Sequence, residues 1–349
     1  MVIQGFKSIA HAEIVLDGLN VIIGANGAGK SNLLGLFRLL EQILSGRLQV
    51  QVASQPDRLL HHGRKVTPVL SLACHFDRHR YDCSLTAQQE TLIFAQEQVY
   101  CQGRPLLGKG EGGHAESRVV ESASLSPDPL QEALFLRAWQ STVYHFNDTS
   151  DSAPLKRLCA LEDNRALRGD AANLAPFLYW LQEKHPLPFR HIEEHVRLVA
   201  PFFDCFLLAP SRLQEDKIQL EWRQQGSDAH FDAYALSDGT LRFICLATLL
   251  LQPNPPPILL LDEPELGLHP SAIHLLAEML EAASRRTQVL CTTQSVTLLD
   301  HFAPEAVVVV ENDGRQTTFR RLEAEPLKAW LAEFSLGQLW EKNLLGGRP

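Results

Sequence analysis

The sequence of 349 residues predicts an α/β fold built around a parallel sheet. The first observation is a short apolar run, Leu19–Ile23, which a glycine-rich loop follows before residues 32–40 carry apolar side chains at helical spacing. The second is Pro257–Leu261, a run that is apolar throughout and ends in two carboxylates. Such a run is typical of a strand that is covered on both faces of a parallel sheet.

The loop after the first strand matches the phosphate-binding P-loop pattern GxxxxGK[ST] at every fixed position. Its residues are Gly24, Ala25, Asn26, Gly27, Ala28, Gly29, Lys30 and Ser31, and we count Asn32, the next residue, with the nucleotide-binding set. Glycines allow main-chain N–H groups to approach phosphate oxygens at a helix N-terminus. Lys30 is predicted to contact the β- and γ-phosphates and Ser31 to ligate Mg²⁺, so the cofactors expected are ATP and Mg²⁺. The alternative is a chance glycine-rich turn, which both flanks disfavour.

The carboxylates after the second strand complete a hydrolytic site. Asp262 is predicted to contact the Mg²⁺ shell and Glu263 to polarise the attacking water, because α/β sheets place ligands at the carboxyl ends of their strands. The alternative is a strand that merely ends in acidic residues. Upstream, Ser237 is predicted to cap a helix, and Gly239 lets main-chain donors approach an anion.

Composition excludes several classes of protein. No apolar stretch reaches the length of a membrane span, and no secretion signal is recognisable, so we expect a cytoplasmic protein without membrane contact. The seven cysteines include no CxxC pair and are expected to be reduced thiols. A net charge of −9 argues against a generally basic nucleic-acid surface, although DNA binding through a local patch stays open.

The order of the motifs carries a resemblance to a known family. The P-loop precedes LSDGTLRF at 236–243, LLLDEPELGLHP at 259–270 and VLCTTQS at 289–295, and the chain opens with GFKSI at 5–9. This arrangement resembles the SMC/RecF/OLD side of the ATP-binding-cassette (ABC) superfamily. Segments 144–150, 173–175 and 335–343 further resemble a bacterial subfamily of stand-alone AAA-family ATPases, along essentially the whole chain.

The resemblance implies an α/β, ABC-type (SMC/RecF-like) P-loop ATPase head with an antiparallel β subdomain and a helical lobe. Residues 1–127 would form the P-loop and antiparallel β lobe, 128–235 the helical or insert lobe, and 236–349 the signature, Walker B, switch and C-terminal helices. Ser237 and Gly239 would be signature residues, and His269 would lie in the loop after Walker B at a dimer interface. Gln294 stands where many relatives have a switch histidine, and its amide does not titrate near neutral pH. The family's Q-loop glutamine has several candidates within 69–101.

The function implied is that of a regulatory or sensor ATPase that forms an ATP-dependent head-to-head homodimer. It would act in phage defence or DNA maintenance with a separate effector protein such as a TOPRIM-like nuclease, which we expect in trans because too few residues follow Ser295 for that domain. Two alternatives stay open. One is a scaffold that binds ATP without turnover, and the other is a RecF-like ATPase that acts directly on DNA.

Other segments give weaker predictions. Residues 102–127 are rich in glycine and serine and are expected to form a mobile loop, and helical patterns dominate from about 128 to 200. The pairs His75/His79 and His191/His195 have a spacing that zinc sites use, but neither has an obvious third ligand, which favours surface histidines. Residues 330–340 carry aromatic side chains that either belong to a helix core or dock a partner.

Overall fold

The computed structural model describes residues 1–76, 78–105, 112–119 and 142–348. In chain order the strands are β1 (Val2–Phe6), β2 (Ile9–Glu13), β3 (Leu19–Ile23), β4 (Val69–Phe76), β5 (His79–Gln88), β6 (Thr91–Cys101), β7 (Arg104–Pro105), β8 (Val143–Tyr144), β9 (Cys159–Ala160), β10 (Phe203–Phe206), β11 (Lys217–Ile218), β12 (Glu221–Gln224), β13 (His230–Asp232), β14 (Ile258–Asp262), β15 (Gln288–Thr292), β16 (Val307–Asn312) and β17 (Thr317–Arg321). The helices are α1 (Lys30–Leu44), α2 (Leu48–Val52), α3 (Leu174–Lys184), α4 (Pro186–Val199), α5 (Asp238–Leu251), α6 (Pro270–Ser284), α7 (Val296–Leu299), α8 (Ala324–Leu331) and α9 (Leu336–Glu341).

The chain divides into two compact units. The first unit comprises the described residues of 1–141 and 303–349, and the second unit comprises residues 142–302. The first therefore contains the predicted P-loop, and the second contains the predicted signature, Walker B and switch residues. The three-part division at 127 and 235 stays a prediction.

The first unit holds an antiparallel sheet in the order β2-β1-β4-β5-β6-β7, as the predicted antiparallel β subdomain requires. Alternate residues of β4 are buried, namely Leu70, Leu72 and Cys74, because successive side chains of a strand point to opposite faces. In the same unit β3 pairs in parallel with β16, and β16 pairs antiparallel with β17. Helix α1 buries ten of its fifteen residues and supplies much of this unit's core.

Segment 112–119 is tied to this antiparallel sheet through a buried carboxylate. Glu97 of β6 is fully buried and accepts hydrogen bonds from the Tyr81 hydroxyl (2.8 Å), the Ser117 hydroxyl (2.5 Å), the Arg118 main-chain N–H (2.9 Å) and, at 3.0 Å, the Nε2 of His114. Residues 112–118 have no regular secondary structure, as a loop requires, but these bonds attach the segment to the sheet and compensate a carboxylate that would be costly to bury alone. Residues 106–111 and 120–127 of that prediction lie outside the described residues.

In the second unit β14 lies between β15 and β8 and pairs in parallel with both. The apolar run therefore does form a central strand, as its composition predicts. Smaller antiparallel groups, β10-β12-β13 and β11-β9, accompany helices α3 to α7 in this unit. Together the two units contain the parallel and antiparallel strands and the helices of the predicted α/β head.

The helical prediction for 128–200 needs a correction. Helices α3 and α4 lie within 174–199, but residues 142–173 form two short strands, one short 3-10 helix (Pro154–Lys156) and turns, and 128–141 lie outside the described residues. A buried asparagine explains the difference. The Asn173 side chain accepts a hydrogen bond from the main-chain N–H of Arg168 (2.9 Å) and donates to the carbonyls of Asp163 and Ala166 (both 2.8 Å). These bonds satisfy the main chain in a closed loop instead of a helix.

The two histidine pairs with zinc-type spacing lie on strands β4 and β5 and on helix α4. His75 and His79 lie on neighbouring strands, β4 and β5, and the Nδ1 of His195 lies 2.7 Å from the carbonyl of His191. Among the described residues no group of three or more His, Cys, Asp or Glu side chains has an arrangement that could hold a metal ion. Over the same residues, no helix is long and apolar enough to cross a bilayer.

Candidate nucleotide site

The P-loop connects β3 to α1 in the first unit, as predicted. Gly24, Gly27 and Gly29 have φ angles of 157°, 78° and 118°. A Cβ on Gly24 would lie 2.3 Å from the carbonyl oxygen of Val310, and a Cβ on Gly29 would lie 2.3 Å from Oγ1 of Thr317. Both positions therefore need glycine for space as well as for conformation. Gly29 immediately precedes α1, and no side chain caps that helix, so its first N–H groups suit an anion.

Lys30 lies inside the curve of this loop. The residue is 7% exposed, and its ammonium donates to the carbonyls of Gly24 (2.5 Å) and Ala25 (3.1 Å). The loop therefore holds a positive charge beside main-chain groups that favour an anion. Ser31, the second residue of α1, is exposed. These residues fit the ATP and Mg²⁺ expected here, since they supply a fixed cation, a hydroxyl ligand and a glycine cradle.

A relay of four polar groups supports the far side of the loop. The Asn32 amide donates to Ser8 Oγ (2.6 Å), the Ser8 and Thr317 hydroxyls lie 2.7 Å apart, and Thr317 Oγ1 donates to the Ala28 carbonyl (2.8 Å). Because Thr317 uses its proton on Ala28, the Ser8 hydroxyl donates to Thr317. The structure thus directs the Asn32 side chain to Ser8, and its predicted nucleotide-binding role stays a prediction.

Thr317 is a residue that sequence reasoning missed. It begins β17, is fully buried, and also donates its main-chain N–H to the Ser8 carbonyl (2.7 Å). Thr317 lies 286 positions after Ser31, and no local sequence signal links it to the phosphate-binding loop. Ser8 did carry a signal, because it belongs to the GFKSI opening of the resemblance.

Ser8 is itself held by its neighbour Lys7. Lys7 has a φ of 47°, donates its N–H to the Leu59 carbonyl (2.9 Å), and has its own carbonyl 2.7 Å from Nδ1 of His61. The left-handed backbone of Lys7 is thus fixed on both sides. Burial lowers the pKa of Lys7, and the nearby Arg38 guanidinium lowers it further.

Segment 345–347 packs against the first glycine of the P-loop. A Cβ on Gly347 would lie 3.3 Å from the Cα of Gly24. The Gly347 carbonyl accepts from the Trp340 indole N–H (2.7 Å), and its N–H donates to Oε1 of Glu311 (3.1 Å). Trp340 is fully buried, which favours the helix-core alternative for this residue. The indole holds a segment of its own unit beside the P-loop.

The predicted Walker B residues follow β14 in the second unit. Oδ1 of Asp262 accepts from the Thr292 hydroxyl (2.6 Å), and Thr292 is its register partner on β15. Glu263 has a φ of 46° and donates its N–H to the Thr292 carbonyl (3.0 Å). A left-handed conformation at a glutamate costs about 1–2 kcal/mol, which marks Glu263 as a constrained position.

Gln294 lies directly against the predicted catalytic glutamate. Its Nε2 donates to Oε1 of Glu263. The structure therefore brings together Asp262, Glu263 and Gln294 around the carboxyl ends of β14 and β15. An amide at this position can orient a carboxylate or a water but cannot act as a proton-linked switch.

The signature segment is joined to the loop after Walker B within the same unit. Ser237 caps α5, since its Oγ accepts from the Thr240 N–H (3.2 Å). Arg242 of α5 donates to the carbonyls of Leu266 and Asn147, both at 2.9 Å. His269 caps α6 and is exposed, and its Nδ1 accepts from the Ser271 N–H at 3.3 Å. The roles of Ser237, Gly239 and His269 toward nucleotide stay predictions.

Comparison with solved structures identifies the class of fold. A crystal structure of an SMC head bound to the C-winged helix domain of ScpA matches with a TM-score of 0.62 at 17% identity, covering 94% of this chain and 98% of that chain. An SMC head with an extended coiled coil, bound to the C-terminal domain of ScpA and derived from Pyrococcus furiosus, matches with a TM-score of 0.60 at 15% identity, covering 95% and 98%. The chain therefore has the fold of SMC-type ATPase heads.

The family is identified by sequence. The model of the family described as "AAA domain, putative AbiEii toxin, Type IV TA system" matches residues 19–78 and 115–300, more than half of the chain. The chain belongs to this family, and the predicted membership of the SMC/ABC-type P-loop ATPase superfamily is confirmed. No curated protein sequence matches the chain.

The hydroxyl relay gives a prediction about the P-loop. Thr317→Val keeps the shape of the side chain but removes the donor to the Ala28 carbonyl and the acceptor for the Ser8 hydroxyl proton. We expect ATP binding, measured by isothermal titration calorimetry, to weaken about tenfold, because a lost buried hydrogen bond costs about 1–3 kcal/mol. Thr317→Ser, which keeps the hydroxyl, should bind nearly as tightly as wild type. Equal affinity of Thr317→Val and wild type would show that the relay does not support the loop.

Proposed function

We propose that this chain is an ATP-hydrolysing regulatory ATPase. The observation that carries the proposal is the P-loop of the first unit, which holds the Lys30 ammonium within a loop of positive-φ glycines at the start of α1. Such a loop binds a nucleoside triphosphate through main-chain N–H groups and the lysine. Membership of an AAA-domain family supports nucleotide binding as well.

Hydrolysis is assigned to the cluster in the second unit. Glu263 would polarise the attacking water, and the Gln294 side-chain amide holds the Glu263 carboxylate by donating a hydrogen bond to its Oε1. Ser31 in the first unit and Asp262 in the second are each proposed as a ligand of Mg²⁺, which neutralises phosphate charge when it is bound. The family match and the SMC-type fold both support an ATPase. Phosphoryl transfer depends on positioning and charge rather than on covalent chemistry, and these are what Glu263, Gln294 and the proposed Mg²⁺ ligands would supply.

The biological setting is proposed from the resemblance and the family. A head-to-head dimer would close with ATP between the P-loop of one protomer and the Ser237 and Gly239 segment of its partner, so that hydrolysis releases the two chains. The family description names a TA system, which supports action together with a second component in phage defence or DNA maintenance. The SMC heads that match this fold were solved with a bound protein, ScpA, which supports an effector acting in trans.

The exposed surface of α8 is where we propose that the effector docks. In contrast to α1, α2 and α9, helix α8 buries none of its residues, and Trp330 is 47% exposed. The Trp330 and Phe334 ring centroids lie 6.4 Å apart, and the Lys342 ammonium lies 5.1 Å from the Phe334 ring centroid. Aromatic side chains with a neighbouring cation are common anchors at protein interfaces.

The catalytic roles are tested by a pair of variants. Lys30→Ala should abolish tight ATP binding while the protein stays folded, because the lysine faces the loop rather than the apolar core. Glu263→Gln should bind ATP normally but lower kcat by about 10²–10⁴-fold, the usual contribution of a general base. Calorimetry and a phosphate-release assay measure the two effects. If wild type and Glu263→Gln show the same negligible turnover, the chain is a scaffold that binds ATP without hydrolysis.

The dimer is tested on the background of Glu263→Gln, which preserves bound ATP. With ATP and Mg²⁺, light scattering should report a dimer, and adding Ser237→Arg should return the protein to a monomer with unchanged nucleotide affinity. The reason is that a bulky cation at the helix start would obstruct the approach of a partner's γ-phosphate. An equally stable dimer of the double variant would reject the sandwich.

The partner is tested by affinity purification of the tagged chain from its native host, with and without a non-hydrolysable ATP analogue. We expect one protein to copurify and Trp330→Ser to remove it. Leu344→Ser is the matched control, because Leu344 is 48% exposed in the same unit and should leave the complex intact. Recovery of the ATPase alone under both conditions would favour direct action on nucleic acid.

A further inference from the structure

Glu265 is a buried acid that the proposed mechanism does not use. It lies two residues after Glu263, is 8% exposed, and belongs to the second unit. Its Oε1 accepts from the Thr293 hydroxyl (2.5 Å) and from the main-chain N–H of Gln294 (3.2 Å). Its Oε2 is buried and has no hydrogen-bond partner among the described residues. A carboxyl group in this setting costs stability, so its presence calls for an explanation.

The two bonds of Glu265 fix the turn that carries Gln294. The Thr293 hydroxyl, which donates to Glu265, also accepts from the Ser295 N–H (2.9 Å). Ser295 in turn caps α7, since its Oγ accepts from the Leu298 N–H (3.1 Å). Every residue from 293 to 295 is therefore held, and Glu265 is the group to which the turn is attached.

Through this turn, Glu265 also affects the position of the Glu263 carboxylate. Because Glu265 fixes the main chain of Gln294, it also fixes where the Gln294 amide meets Oε1 of Glu263. Burial raises the pKa of Glu265, and the hydrogen bonds from the Thr293 hydroxyl and the Gln294 N–H oppose this rise.

We propose that Glu265 is a positioning residue for ATP hydrolysis, which acts on Glu263 through the Thr293–Ser295 turn and the Gln294 amide. The proposal rests on the ATPase activity proposed above. A purely structural role is a poor explanation, because an apolar side chain of similar volume would fill the same space without an unpaired buried oxygen.

Two substitutions separate these roles. Glu265→Leu removes the acceptor but keeps an apolar volume, and Glu265→Gln keeps Oε1 as an acceptor for Thr293 and Gln294. For Glu265→Leu we expect kcat to fall by about tenfold or more, since small displacements at a reacting centre can cost up to about 10²-fold. We expect the Kd for ATP to stay within about twofold, because binding is assigned to the P-loop of the other unit. Glu265→Gln should restore kcat to within about threefold of wild type, because its remaining oxygen makes the same two bonds.

Coupling to Gln294 provides the specific readout. In a Gln294→Ala background, Glu265→Leu should cause little further loss of kcat. The reason is that both substitutions break the same connection, which runs from Glu265 through Gln294 to Glu263. Glu281→Leu, an exposed acid on α6 of the same unit, is the control and should leave kcat unchanged. If Glu265→Leu does not fold, Thr293→Val removes the same hydroxyl bond and should give the same loss of kcat at constant ATP Kd.

The outcomes distinguish this inference from the function on which it rests. An inactive wild type overturns the proposed function and this inference with it. An active wild type with unchanged kcat in Glu265→Leu and Thr293→Val overturns this inference alone. Additive losses with Gln294→Ala, or a Kd for ATP that rises in step with the fall in kcat, also overturn it, because a general loss of structure would produce them.

Discussion

The phosphate-binding loop imposes the constraint on which the rest of the first unit depends. A loop that offers main-chain N–H groups to an anion makes few of the hydrogen bonds of regular structure; within this loop the Ala28 N–H donates to the Ala25 carbonyl (3.1 Å). Other groups must therefore hold the loop in place. The Thr317 hydroxyl does so at Ala28, the Lys30 ammonium does so at Gly24 and Ala25, and Gly347 closes the approach to Gly24 from outside.

In the second unit, three neighbouring carboxyl groups must be accommodated after β14. Asp262, Glu263 and Glu265 are close in sequence, and three ionised groups there would repel one another. The structure gives each a different environment. Asp262 accepts from Thr292, Glu263 accepts from Gln294, and Glu265 is buried with a raised pKa. One short motif thus provides a metal-binding candidate, a catalytic candidate and a buried acid that orients the turn opposite.

Motif spacing predicted those parts of the site in which neighbouring residues act together. The P-loop, the strand before Asp262 and the cap at Ser237 are local, because each depends on residues within one turn or one strand. Sequence patterns gave wrong or incomplete predictions for segments whose conformation depends on a buried polar side chain. Asn173 closes a loop in a segment that reads as helical, and Glu97 ties down a segment that reads as a flexible loop.

The sequence alone therefore determined the class of fold, the nucleotide loop and the identity of the acids after β14. Only the tertiary structure decided which distant residues support them. Thr317, Gly347 and the two partners of Oε1 in Glu265 were not predictable, since a hydroxyl, a glycine or a main-chain N–H acquires its role from the group that folding brings next to it. Hydrogen bonds form over about 3 Å, and the order of residues does not specify which distant atoms come within that distance after folding.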